Sequence, residues 1–155
     1  MPMGQADDTR KSRNGWIIIC DGRKAIIAEN TGTLPRPSLR VAETLNAPPN
    51  PSTRDLGDDR PGRTAQAIGG RRSSVEMTDL HEQGERAFLV NAARRFAEIA
   101  LQQRARSLVV VAPPKALPVI REHLGPAARD LVVDEIAKDL TKHPMDDIER
   151  LLVQG

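Results

Sequence analysis

Three carboxylates in the sequence could together hold a divalent metal. Asp21 follows a short apolar run, Glu43 lies in a later one, and Asp139 lies near the end of the chain. Nucleases that use two metal ions bring several carboxylates from different strands close together. Asp21 also precedes Gly22, and an Asp-Gly pair is typical of a type I′ hairpin turn, which needs positive φ. Because the turn already explains Asp21, we predict no metal site and keep a metal-dependent nuclease or hydrolase as the alternative.

A second polar set, Lys138, Asp139 and Thr141, lies where a strand is predicted to end. Open α/β sheets bind ligands at the carboxyl ends of their strands, so this set and Asp21 form a candidate polar cluster. The same residues can instead end the strand and order the turn before a helix that starts at Pro144. We favour this structural interpretation because Asp and Thr commonly act as caps.

A third set combines glycines and arginines, and it lies between residues 46 and 77. Its members are the candidate nucleic-acid-binding residues Arg60, Arg63, Gly69, Gly70, Arg71 and Arg72. Guanidinium groups in a flexible segment suit bidentate contact with phosphate. No Gly-Lys-Ser/Thr triplet follows the glycine pair, so the segment is not a P-loop.

The remaining reactive side chains give no catalytic site. Cys20 is the single cysteine and follows an apolar run, which predicts a buried, unreactive thiol and excludes an internal disulfide. His81, His123 and His143 lack metal-ligand spacing relative to one another. We therefore predict no catalytic residue, no bound metal and no cofactor.

The composition fits one domain built around an aliphatic core. The chain has 155 residues and a net charge of +2, and aromatic residues make up only 2%. So few rings argue against a protein that stacks nucleic-acid bases on aromatic side chains. The polar N-terminus does not resemble a signal peptide, and no apolar run approaches the roughly 20 residues that span a bilayer. The sequence thus predicts a cytoplasmic protein without a membrane partner.

The hydrophobic pattern predicts eight elements. Strands are expected at 16–20, 24–29, 39–45, 108–112 and 131–136, and helices at 79–103, from 114 to 124 and from Pro144 onward. In the first helix, apolar side chains recur at helical spacing from Leu80 to Ile99. This β-β-β-α-β-α-β-α order predicts an α/β fold: a mixed sheet with helices on its faces, in the ribonuclease-H-like topology.

Two segments are expected outside the packed structure. Residues 1–14 are polar and predict a disordered arm before a single domain at 15–155. Residues 46–77 are rich in proline, glycine and charge, which predicts a long mobile loop. Arg63 could instead have a structural role in this loop, by forming an ion pair with Asp58 or Asp59.

Four stretches of the sequence resemble the bacterial host-attachment protein family. They are WIIICDGRKA at 16–25, DLGDDRPGR at 55–63, LVVVAPPKAL at 108–117 and EIAKDLTKHP at 135–144. That family is similar to the middle domain of archaeo-eukaryotic class I release factors, in which a Gly-Gly-Gln loop before a long helix enters the ribosome. Gly69-Gly70 stands in the corresponding place here, with Arg71 instead of Gln.

The resemblance implies a non-enzymatic binding module that engages the ribosome or RNA through the basic Gly-Gly loop. The change from Gln to Arg71 argues against hydrolysis of peptidyl-tRNA. The family also implies a link to attachment to host cells, although a chain without an export signal is not expected to be the adhesin. A protein partner remains an alternative, with an indirect signalling or interaction role in attachment.

Overall fold

The computed structural model describes residues 14–33, 35–48 and 64–154, with side chains from residue 79 to 153 in the last range. Five strands and four helices follow one another along it. They are β1 (Gly15–Cys20), β2 (Lys24–Asn30), β3 (Leu39–Asn46), α1 (Thr64–Gln102), β4 (Ser107–Ala112), α2 (Leu117–His123), α3 (Pro126–Arg129), β5 (Val132–Ala137) and α4 (Met145–Gln154). All five predicted strands are confirmed, and the short α3 was not predicted.

The strands form one mixed sheet in the order β3-β2-β1-β4-β5. The first three pair antiparallel, and β1, β4 and β5 run parallel. β1 and β4 occupy the centre because almost every residue in them is apolar, as both faces of a central strand are covered. The predicted α/β class with a mixed sheet is therefore confirmed.

Alternate residues of β1 face two different hydrophobic cores. Trp16, Ile18 and Cys20 pack on the side covered by α1, α2 and α3. Ile17 and Ile19 pack on the opposite side, which α4 covers. Helices thus lie on both faces of the sheet, and the period of two along the strand decides which core each side chain enters.

Helix α1 begins at Thr64, not at the predicted Asp79. The mobile loop predicted over 46–77 is therefore wrong for residues 64–77, which are helical. Gly69 and Gly70 each cost about 1 kcal/mol in a helix, but extending an existing helix is far easier than nucleating one. Residues 49–63 and the predicted arm at 1–13 lie outside the described residues, and their mobility stays a prediction.

The C-terminal end of α1 is a Schellman motif. The N–H of Ala105 donates to the Ala100 carbonyl at 2.8 Å, and the N–H of Arg104 to the Leu101 carbonyl at 3.1 Å. Arg104 adopts φ 57°, a conformation that normally favours glycine. The motif directs the chain from α1 into β4. In the next helix, Pro118 lies in the first turn, where proline is tolerated.

Helix α1 has 39 residues, which is long enough to cross a bilayer. Charged residues nevertheless recur along its described part, among them Glu82, Glu85, Arg86 and Arg94. Across residues 14–33, 35–48 and 64–154, no helix combines the length and the apolar character of a membrane span.

Candidate functional site

The two ends of the domain meet in a carboxylate cluster, formed by Asp21, Asp139 and Thr141. The Thr141 hydroxyl lies 2.8 Å from Asp21 Oδ2 and 3.1 Å from Asp139 Oδ1, although Asp21 and Thr141 are 120 residues apart in sequence. Thr141 is only 4% exposed. The cluster lies where β1 and β5 end, which is the edge of the sheet that the sequence predicted.

Asp21 also orders the hairpin between β1 and β2. Its Oδ1 accepts hydrogen bonds from the backbone N–H groups of Arg23 and Lys24, both at 2.8 Å. The hairpin was predicted correctly, but its predicted type I′ turn is wrong, because Gly22 does not have a positive φ. The Asp21 carboxylate stabilises this turn by accepting hydrogen bonds from nearby backbone N–H groups, as Asp side chains commonly do in turns.

Gly22 is required for space, not for its dihedral angles. A Cβ atom there would lie 2.8–2.9 Å from the Cβ, Cγ and Cδ atoms of Glu85 on α1. The hairpin and the helix therefore approach too closely for any larger residue. Glu85 was not identified from the sequence, because its contact with Gly22 exists only in the folded structure, where α1 approaches the hairpin.

The cluster connects elements and offers little chemistry. A threonine hydroxyl has one proton, so Thr141 can donate to only one of its two carboxylate neighbours at a time. Among the predicted members, Lys138 is exposed at the end of β5 and its backbone N–H donates to the Ile136 carbonyl at 3.0 Å. The cluster ties the first hairpin to the segment before α4, a connection that the sequence-based interpretation of these residues as strand-ending caps did not include.

Glu43 lies elsewhere, so the three carboxylates of the nuclease hypothesis are not assembled. Its two oxygens each accept a hydrogen bond from the Arg95 guanidinium at 2.8 Å. This hydrogen bonding, reinforced by the positive charge, lowers the pKa of Glu43 below its ordinary value of 4.5, against a smaller opposing effect of burial. In the part of the chain that is described, no three His, Cys, Asp or Glu residues are grouped to hold a metal ion.

Cys20 is unsuited to nucleophilic chemistry, as predicted. The thiol is buried and forms no disulfide. Burial, followed by the negative charges of Asp21 and Asp139, raises the pKa of the Cys20 thiol to about 12. The reactive thiolate is therefore suppressed at neutral pH.

The predicted nucleic-acid-binding residues fall in two places. Arg60 and Arg63 lie outside the described residues. Gly69, Gly70, Arg71 and Arg72 have helical backbone within α1, so the expected Gly-Gly loop is a helix segment. The reason is that a helix, once formed, extends through glycine at a cost of only about 1 kcal/mol per residue.

The described N-terminal part of α1 is mostly exposed, although Glu85 contacts the hairpin at Gly22 and Arg86 forms an ion pair with Glu122. Residues 79–87 are exposed except for the half-buried His81, and the first buried side chain is that of Phe88. Leu80, which helical spacing assigned to the apolar face, is 55% exposed. Over residues 79–87 α1 therefore buries little surface before its packing begins at Phe88.

Comparisons with known proteins identify the relationship of this chain. A family model described as "Protein required for attachment to host cells" matches residues 16–152. An uncharacterized protein of Rickettsia prowazekii (strain Madrid E) is 39% identical over 51 residues, which is 33% of this chain and 34% of that relative. This match thus spans about a third of the curated relative. Since the family model covers nearly the whole described domain, the chain belongs to the family of proteins required for attachment to host cells.

Proposed function

We propose that this protein is a non-enzymatic binding module that contacts RNA or the ribosome through the basic start of α1. The observation that carries the proposal is the part of α1 before Phe88, whose described side chains at 79–87 are exposed except for the half-buried His81. A helical segment that is as exposed as residues 79–87 gains little stability from the fold. A partner is the simplest reason for the chain to maintain it.

The charge pattern indicates an anionic partner. Residues 60–72 contain four arginines and no aspartate or glutamate. The first turn of α1 has no acidic residue, although the helix dipole favours negative charge at a helix N-terminus. Residues 60–72 therefore carry only positive charge, which suits contact with phosphate.

The identity of that anion as RNA rests on resemblance. The strand order β3-β2-β1-β4-β5 suits a ribonuclease-H-like topology, which we propose as the fold. The Gly69-Gly70 pair precedes the packed part of the long helix, as the Gly-Gly-Gln loop of release factors precedes its helix, but here the pair is itself helical. With Arg71 in the third position, the pair would contribute to binding and not to hydrolysis. We place this activity in the cytoplasm, with attachment to host cells as a downstream effect.

A metal-dependent nuclease or hydrolase is the competing proposal. The described residues bring Asp21 and Asp139 to one hydroxyl, while Glu43 is held by Arg95. Two carboxylates fall short of the set that a two-metal mechanism needs. Micromolar binding of Mg²⁺ or Mn²⁺ in calorimetry, lost in Asp21→Asn, would favour the hydrolase over the binding module.

Ribosome co-sedimentation tests the binding module directly. Purified protein is sedimented with ribosomes at low and high salt, beside the double variant Arg71→Ala/Arg72→Ala. The matched control, Arg94→Ala/Arg129→Ala, removes two exposed arginines from the packed part of the domain. We expect the wild-type protein and the control to sediment at low salt and the double variant to stay in the supernatant. Equal behaviour of the two variants, or no sedimentation at all, would leave an indirect role through a protein partner.

A further inference from the structure

Three exposed arginines lie at the edge of the sheet where β4 and β5 begin. Arg104 and Arg106 stand between α1 and β4, and Arg129 ends α3, just before β5. The Leu108 N–H donates to the Leu131 carbonyl at 2.9 Å, so the starts of these two strands are adjacent. Helix α3 also contacts α1. The fold thus brings the three arginines to one edge of the sheet, which we call the arginine edge.

Arg104 occupies a backbone position that suits glycine better. Its φ is 57°, and it is the one non-glycine residue with a positive φ in the described part of the chain. A Cβ atom is strained at such a position, so an arginine destabilises this turn relative to glycine. A strained residue whose side chain is exposed indicates that the side chain serves a purpose other than folding.

Asn14 holds the backbone on both sides of this turn. Its side-chain amide donates to the Arg104 carbonyl, and its own carbonyl accepts the N–H of Arg106 at 2.9 Å. The main chain of both arginines is therefore held in place without a partner. Such preorganisation lowers the entropy that binding costs.

The positive charge of the arginine edge is not neutralised within the described residues. None of its three guanidinium groups forms an ion pair or a hydrogen bond with a described residue. Elsewhere on the sheet, Arg40, Arg95 and Arg121 each bind a glutamate. Asp130, which directly follows Arg129, supplies one negative charge against the three positive charges. The edge therefore keeps free donors and an excess of positive charge, which suit an anionic partner.

An apolar side chain beside the arginines favours a peptide over a nucleic acid. Leu101, whose carbonyl accepts the Arg104 N–H at 3.1 Å, is 46% exposed. The aromatic side chains Trp16, Phe88 and Phe96 are all buried, so none of these rings is available to stack a base. Arginine is enriched in protein–protein interfaces, whose buried centres are apolar. The combination of leucine and arginine therefore fits a peptide that carries both carboxylates and an apolar side chain.

We propose that the arginine edge binds an acidic, partly apolar peptide segment of a partner protein. Carboxylates of that segment accept hydrogen bonds from Arg104, Arg106 and Arg129, and an apolar side chain covers Leu101. The edge lies at the opposite end of α1 from its basic start. The proposal therefore stands whether or not that start binds RNA.

Two labelled hexapeptides test the charge preference. The first contains four glutamates and two leucines, and the second has glutamine in place of each glutamate. Fluorescence anisotropy with the full-length protein at low salt measures both affinities. We expect the acidic peptide to bind at least about fivefold more tightly, and to weaken as salt is added. Equal affinities, or no binding of the acidic peptide at millimolar protein concentration, would contradict the proposal.

Arg104→Gly separates binding from folding. This variant should be at least as stable as the wild-type protein, because it relieves the positive φ. It should nevertheless bind the acidic peptide about twofold to fivefold more weakly, and Arg104→Gly/Arg106→Ala should bind it more weakly still. The control Arg94→Ala removes an exposed arginine about three turns earlier along α1 and should leave the affinity unchanged. Unchanged binding in the double variant, or an equal loss in the control, would overturn the proposal.

Leu101→Ala tests the apolar contact. It should weaken the acidic peptide by about twofold to fivefold and leave a version with serine in place of leucine unchanged. An equal effect on both peptides would contradict this contact.

A labelled single-stranded RNA tests the competing class of ligand at the same edge. We expect Arg104→Gly/Arg106→Ala to bind this RNA as the wild-type protein does. A loss of RNA affinity in that variant, with the acidic peptide unaffected, would assign the edge to nucleic acid and overturn the proposal.

Discussion

The two parts of α1 share one continuous helix but differ in what stabilises them. From Phe88 onward the helix buries side chains such as Phe96 and Ile99 in the core beneath the sheet. Over residues 79–87 it buries none, and only His81 is partly covered. The packed part therefore carries the fold, while the exposed part depends on it for helical structure. This difference shows that a helix can continue beyond the residues that it buries in the core.

The largest expected effect contrasts a core residue with an exposed one on the same helix. Phe96 is fully buried, and Phe96→Ala should lower the free energy of unfolding by about 3–5 kcal/mol. Leu80→Ala should change it by less than about 0.5 kcal/mol, because surface substitutions rarely matter. Urea denaturation of both variants measures the contrast. A large loss in Leu80→Ala would show that the exposed part packs against something after all.

Glu85 lies near the boundary between the exposed and the packed part of α1. A substitution at Gly22 tests its contact with the hairpin. Gly22→Ala places a Cβ within 2.8–2.9 Å of Glu85, so we expect a loss of about 1–3 kcal/mol in unfolding free energy. The double variant Gly22→Ala/Glu85→Ala keeps the Cβ contact at 2.9 Å but removes the Cγ and Cδ contacts. It should regain part of that loss in the same denaturation experiment. Equal stability of the single variant and the wild type would show that α1 and the hairpin are not in close contact.

The end of the packed part offers a stabilising change. Arg104 adopts φ 57° in the Schellman motif, where an L-residue is disfavoured and glycine is not. Arg104→Gly should therefore raise the free energy of unfolding by about 0.5–1 kcal/mol. This value already subtracts the cost of the greater conformational entropy that glycine gives the unfolded chain. Thermal unfolding measures the gain. A decrease would mean that the arginine side chain contributes more than its backbone costs.

The smallest effect concerns pH and the ion pairs of the packed part. Hydrogen bonds from Arg95 and from Arg121 lower the pKa values of Glu43 and Glu135 in the folded protein. A carboxyl group with a lowered folded pKa stabilises the fold fully above its unfolded pKa, near 4.5. That contribution is lost as the pH falls through the folded pKa.

Stability should accordingly decrease on acidification below about pH 5, and Glu43→Gln/Glu135→Gln should reduce this decrease. Both pairs are partly exposed, so the effect is small beside the core substitutions. Denaturation at neutral pH and at pH 4 compares the double variant with the wild type. An unchanged pH dependence would show that neither pair contributes.

The sheet was predictable because its signals are local. Apolar runs such as residues 16–20 and 108–112 identify central strands, and the position of Asp21 and Thr141 at strand ends predicted the edge where they meet. The packed part of α1 followed from its helical spacing for the same reason.

The sequence-based predictions failed where the outcome depends on residues that are close in space but distant in sequence. The start of α1 was hidden because Gly69 and Gly70 argue for a loop, while the cooperativity that extends the helix through them has no sequence signature. Leu80 obeys helical spacing, yet its side chain is 55% exposed. The role of Gly22 depends on Glu85, which approaches it only in the folded protein.

The salt dependence of RNA binding tests the central claim most directly. Fluorescence anisotropy with a labelled single-stranded RNA gives the affinity across a salt series, and the slope of log K against log salt counts the phosphates neutralised. We predict weak binding with a negative slope that Arg71→Ala/Arg72→Ala makes shallower by about 1.4 units, at ~0.7 per contact, while Arg94→Ala/Arg129→Ala leaves it unchanged. An equal slope for both variants, or no binding at the lowest salt, would contradict a role of the basic start of α1 in RNA recognition.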